Sequence, residues 1–236
     1  MKRQQNTPVR VAWAAFAALA LVHLAAQLVG AETAADVTQW FLMPMLAAVL
    51  WLSTVAPRSR LVVLTLVALG LSWLGDSAPD LAHGDTAFLL MVGFFLLAQI
   101  TYIAAFAPFT TANVLRRNRG VVVAYVVVVA LLIAACAPGA GALLVPALVY
   151  GAALGAMAIL AAGVNRTVAI GGGLFLVSDG MIALGAFADW FTPPVEGFWV
   201  MATYIAAEVL IVLGVLAAGG DRRRGASAPR ARAGNG

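Results

Sequence analysis

The stretch Leu69–Asp85 reads LGLSWLGDSAPDLAHGD. An apolar run of membrane grade ends within it at Gly75-Asp76, and a second carboxylate, Asp179, lies inside another apolar run, VAIGGGLFLVSDGMIALGAF, residues 168–187. An ionisable side chain at the centre of a bilayer span costs about 3 kcal/mol or more, so each acid is a functional candidate. The rest of the chain reads as the frame around these two.

The frame is a lipid-facing one. The chain is 63% hydrophobic and only 10% charged over 236 residues, whereas a soluble domain carries about 25% charged residues. Apolar runs of about 20 residues cross a bilayer as helices, because every backbone polar group must be paired within the segment. The runs are too long and continuous for the alternating strands of a β-barrel. The expected fold is therefore all-α, a polytopic membrane helix bundle of about eight transmembrane helices. The spans fall at about 9–29, 37–55, 61–78, 86–107, 121–137, 142–164, 167–187 and 197–218. The first exceeds the usual apolar core of a signal peptide and reads as a retained helix. Pro44 lies near the outer end of span 2, Pro79 disturbs the end of span 3, and APGAG at 137–141 reverses the chain between spans 5 and 6.

Charge fixes the expected orientation. Basic residues occur at Lys2, Arg3 and Arg10, at Arg58 and Arg60, at Arg116, Arg117 and Arg119, at Arg166, and at Arg222–Arg224, Arg230 and Arg232. These are the two termini and every second loop, the positive-inside pattern. The intervening loops carry Glu32, Asp36, Asp80, Asp85, Asp189 and Glu196, and no basic residue. Both termini are thus expected to be cytoplasmic, in a multi-pass protein of a bacterial-type plasma membrane. Residues 1–220 form a single transmembrane domain and residues 221–236 a basic, disordered cytoplasmic tail. The net charge of +4 is spent on topology, so no nucleic-acid partner is expected; the partners are bilayer lipids.

Depth along each span, at about 1.5 Å per residue from the cytoplasmic end, puts Asp76 at about 24 Å, Asp179 at about 18 Å, Glu208 at about 20 Å and Tyr150 at about 21 Å. Four polar groups from four helices share one layer, and Gln99 and Tyr102 lie lower, where they floor the same cavity. Each also has a plain reading: Asp76 as a helix-end acid reaching water, Asp179 as a packing acid bonded to Ser178, Glu208 as a partner of Tyr150 or Gln99, and Tyr102, Tyr150 and Tyr204 as core aromatics. His23 reads as a buried polar residue. His83 with Asp80 and Asp85 reads as a solvated acidic loop before a cation site.

Two carboxyl groups meeting in an apolar cavity do not both ionise, because like charges at short range repel. One neutral acid then stands beside one ionised base, a general acid–base pair. No HExxH, CxxC or GxSxG motif occurs, so neither a metal nor a cofactor is expected. Lys2 is the sole lysine, which excludes a retinal Schiff base. Ser178 adjoins Asp179 but no His shares its layer, so a Ser-His-Asp triad is not expected.

Five segments carry a family resemblance: LGD at Leu74–Asp76, GFFLLAQITY at Gly93–Tyr102, Tyr150, FLVSD at Phe175–Asp179, and YIAAE at Tyr204–Glu208 followed by Leu210-Ile211. Their order and spacing resemble the YhhN-like family of integral membrane proteins, the lysoplasmalogenases, over about Trp40 to Gly214. The chain departs from that pattern at Met43-Pro44, where the family has Lys-Pro, at Gln99 in place of His, and at Glu208 in place of Gln. The resemblance implies cleavage of the vinyl ether bond of a lysophospholipid, releasing a fatty aldehyde and glycerophosphoethanolamine or glycerophosphocholine. Asp76 and Asp179 then serve as the catalytic pair, and Tyr150, Tyr204 and Glu208 orient water or the head group. The competing readings are a proton-coupled or lipid transporter, an intramembrane aspartyl protease, and a noncatalytic lipid-binding protein. The absence of an inverted repeat and of a Pro-Ala-Leu motif weighs against the first two.

Overall fold

The structure, a computed structural model, describes residues 7–111 and 119–227. The expected basic cluster at Arg116 and Arg117 therefore lies outside the described residues. Those described form eight long α-helices: α1 Thr7–Val29, α2 Glu32–Ser53, α3 Arg60–Ser77, α4 Asp85–Phe106, α5 Arg119–Ala140, α6 Leu144–Val164, α7 Arg166–Phe187 and α8 Glu196–Ser227. Short 3-10 turns at Ala78–Leu81, Ala107–Phe109 and Gly141–Leu143 join some of them. No strand occurs among the described residues, and the all-α membrane bundle expected from composition is the fold found.

Seven continuous helical stretches are long and apolar enough to cross a membrane, against the eight expected. The difference lies in one place. The stretch Arg119–Val164 is 46 residues long, about 69 Å if straight and twice the depth of a hydrocarbon core. It breaks at Gly141, whose φ of +48° suits glycine and few other residues. The two pieces, α5 and α6, then pack on each other and make two passes. The reversal falls at residues 141–143 and not at the expected 137–141, because α5 continues through Pro138 to Ala140. Gly139 sits where a Cβ would fall 2.1 Å from the Phe187 carbonyl oxygen, so the end of α5 lies against the end of α7. At Gly151 of α6, by contrast, a Cβ would meet Ile133 at an ordinary 3.7 Å. Gly139→Ala is expected to lower the melting temperature in detergent by an amount equivalent to about 1–3 kcal/mol, through overpacking. Gly151→Ala, which gains helix propensity without a clash, should hold or raise it.

Helix ends follow local chemistry. Asn165 caps α7 by accepting from the Val168 N–H at 3.0 Å, and its Nδ2 donates to the Gly214 carbonyl at 2.8 Å, which ties α7 to α8. Arg58 lies over the Trp51 ring at 3.4 Å and donates to the Trp51 carbonyl, closing the C-terminus of α2. Proline at 79 ends α3 at Ser77 and starts the 3-10 turn, as the sequence predicts. Pro44 is carried inside α2. Helix α8 runs on to Ser227, so the stretch 221–227 of the expected disordered tail is helical; residues 228–236 lie outside the described residues.

The helices close into a ring, α1–α2–α3–α4–α6–α7–α8, with α8 returning to α1 and also touching α2, α3 and α6. Helix α5 is added outside, against α6 and α7. The core between them is Leu42, Met43, Leu46, Leu69, Phe106 and Ile211, all fully buried. The exterior is apolar too: Val123, Val126 and Leu131 of α5 are 59%, 55% and 65% exposed, a surface that only lipid covers comfortably. One end of the bundle carries Arg58, Arg60, Arg119 and Arg166; the other carries Glu32, Asp80, Asp189 and Glu196. They are called the basic and acidic ends below.

Candidate functional site

Asp76 lies in the last turn of α3 and Asp179 in the acidic-end half of α7. Both face one cavity near the acidic end. Its other polar wall residues are Gln39, Asp80, Ser178 and Tyr204; Met91 and Phe95 of α4 supply apolar wall. The two carboxyl groups are 8% and 7% exposed. Gly75 makes this approach possible, since a Cβ there would fall 2.7 Å from the Phe95 ring.

Each carboxyl group has a tyrosine partner. The Tyr204 hydroxyl of α8 donates to Asp76 Oδ2 at 3.0 Å, and Gln39 Nε2 of α2 approaches Oδ1 at 3.5 Å. The Tyr150 hydroxyl of α6 donates to Asp179 Oδ2 at 2.5 Å. The Tyr204 ring is held edge-on by Phe95 and Phe175, at centroid distances of 5.7 and 5.6 Å. Five helices, α2, α3, α6, α7 and α8, thus position two acids on one cavity. Among the described residues, no Lys, Arg or His lines the cavity.

A second space adjoins the first. A groove runs between α4, α5, α6 and α7. Met91, Phe95, Asp179 and Ile182 line both groove and cavity. Apart from Asp179 and Tyr150, and the weakly polar thiol of Cys136, the groove wall is hydrocarbon, including Phe88, Leu132, Leu144 and Phe187. Asp179 therefore stands at the junction of an oily slot and a polar chamber.

Glu208, Tyr102 and Gln99 are not on the cavity wall. They lie in a fully buried layer behind it. Glu208 accepts from the Tyr102 hydroxyl at 2.5 Å and from the Ser72 hydroxyl at 3.2 Å, in place of the expected Tyr150 or Gln99. Gln99 faces Tyr150, yet neither its amide nitrogen nor its oxygen completes a well-formed hydrogen bond. Ser178 donates to the Val200 carbonyl at 3.0 Å rather than to Asp179. His23 is buried between α1 and α2, its Nδ1 near the Ala35 carbonyl and the Thr38 hydroxyl, away from the cavity. A Ser-His-Asp arrangement is absent among the described residues. Asp80 accepts from Trp40 Nε1 at 2.7 Å, a link between the cavity mouth and α2.

Gln39, Ser72 and Asp80 join the expected residues. The first two carried a readable signal: each is a lone polar side chain in an apolar run, QWFLMP and LGLSWLG. Asp80 carried none, since an acid in a loop is the ordinary case.

Residues 34–215 match the YhhN family. No curated protein and no solved structure matches the chain.

Proposed function

The chain belongs to the YhhN family, and on that footing we propose that it is a membrane hydrolase of lysophospholipids that cleaves a vinyl ether bond with Asp76 and Asp179. One observation carries the reading: two acids from distant parts of the chain open on one small cavity that continues into an apolar groove at Asp179. A single-chain lipid matches that shape, its chain in the groove and its glycerol head in the cavity.

The chemistry suits the residues. Two carboxyl groups lining one cavity take unlike roles, one neutral as the acid and one ionised as the base. The acid delivers its proton to the β-carbon of the enol ether, and the C=C π electrons form the new C–H bond. The α-carbon becomes an oxocarbenium ion, which the ionised carboxylate stabilises. That carboxylate then takes a proton from water as the water oxygen bonds to the cation. The resulting hemiacetal breaks its C–O bond to release aldehyde and the glycerol hydroxyl. Protons gained and lost balance, and no oxidant or metal is consumed.

The test is mass spectrometry of purified protein with lysolipids bearing vinyl ether, saturated ether or ester chains. The expected result is aldehyde from the vinyl ether alone. Run in D2O, the aldehyde should carry one deuterium on the carbon next to the carbonyl, because protonation occurs at carbon. Release of fatty acid from the ester with the vinyl ether untouched would overturn the proposal.

A further inference from the structure

Both spaces lie in the same half of the bundle. The groove takes residues 88–95 of α4, 129–140 of α5, 144–154 of α6 and 176–187 of α7; the cavity takes Gln39, 75–80, 178–182 and 200–204. In every helix these are the turns nearer the acidic end. Toward the basic end the way is shut by Leu69, Ser72, Gln99, Tyr102, Phe175 and Glu208, all 0% exposed. Helices α4 and α5 both wall the groove yet, among the described residues, share no extensive packed interface, so it faces the bilayer between them. The cavity mouth, at Gln39, Pro79 and Asp80, faces the acidic end.

We infer that the site is fed from one face only: a single-chain lipid slides in between α4 and α5 from the leaflet at the acidic end, and water enters past Asp80 from the same side. The basic loops mark the cytoplasmic face, so substrate arrives from, and the water-soluble product leaves to, the non-cytoplasmic side. The occupant is fixed by continuity, because the hydrocarbon slot meets a chamber with carboxyl groups at Asp179. A two-chain lipid would leave its second chain beside a polar mouth. The inference takes the class of lipid from the proposed function, but its geometry does not depend on the bond that is cut.

The experiment uses full-length protein in sealed vesicles of known orientation, with Cys136→Ser as background and Met91→Cys or Ile182→Cys, the two positions shared by groove and cavity. A membrane-impermeant maleimide is added outside. Labelling should be fast when the acidic end faces out and slow when the basic end does. A lysophospholipid with a saturated ether chain, which has no vinyl ether to cut, should slow labelling about tenfold at about ten times its Kd. Equal labelling from both faces, or labelling indifferent to the lipid, would overturn the inference. Two cysteine positions guard against one variant failing to fold. Sided, lipid-protected labelling in a protein that releases no aldehyde would remove the proposed reaction and uphold the one-sided site.

Discussion

Asp76→Asn and Asp179→Asn should each reduce aldehyde release by at least about 10²–10⁴-fold, the usual contribution of a positioned acid or base. Asparagine keeps the shape of the side chain, and its carbonyl oxygen still accepts from Tyr204 in one case and Tyr150 in the other. Melting temperature in detergent should therefore change little, which separates chemistry from folding. The double variant should be no slower than the slower single variant, because groups that act as one unit lose their joint effect when either is removed. Multiplicative losses would mean that the two acids work independently. Full activity in either single variant would end the acid–base mechanism outright.

Much of this architecture is written in the sequence at short range. Span lengths follow from bilayer thickness, and the ends follow from residues such as Pro79 and Asn165 that act on the next turn. The break between α5 and α6 is harder, because APGAG offers several places to turn. The choice of Gly141 depends on how closely Gly139 meets α7, a contact 48 residues away in sequence and invisible to local pattern. The same limit governs the site. That Asp76 and Asp179 are anomalous is legible from polarity alone. Which tyrosine serves which acid is not, since Tyr204 and Asp76 are 128 residues apart and Tyr102 and Glu208 are 106 apart. Depth counting puts Glu208 in the layer of the two aspartates, whereas it pairs with Ser72 and Tyr102, about one turn nearer the basic end. Tyr204 and Glu208 share one face of α8, a turn apart, so Tyr204 meets Asp76 while Glu208 meets Ser72, one turn down α3, and Tyr102.

That difference of one turn sets the second large effect. Tyr150→Phe and Tyr204→Phe each remove one hydrogen bond to a cavity acid, worth about 1.5–3 kcal/mol at the ionised carboxyl and about 0.5–1.5 kcal/mol at the neutral one. The variant facing the ionised carboxyl should slow kcat about 10- to 100-fold and the other about 2- to 10-fold. Stability should hold in Tyr204→Phe, because its ring stays packed between Phe95 and Phe175. Tyr102→Phe is the informative contrast. It too deprives a carboxyl group of a hydroxyl donor, but at Glu208, which is fully buried and off the cavity wall. An acid left with Ser72 alone in that dry layer should cost about 1–3 kcal/mol of stability, while kcat falls less than in the other two variants. Kinetics should thus follow the tyrosines that touch Asp76 and Asp179, and melting temperature the one that does not. If Tyr102→Phe slowed the reaction most, the working acid would be Glu208, and the proton would have to reach the lipid through the layer of Gln99 and not from the cavity wall.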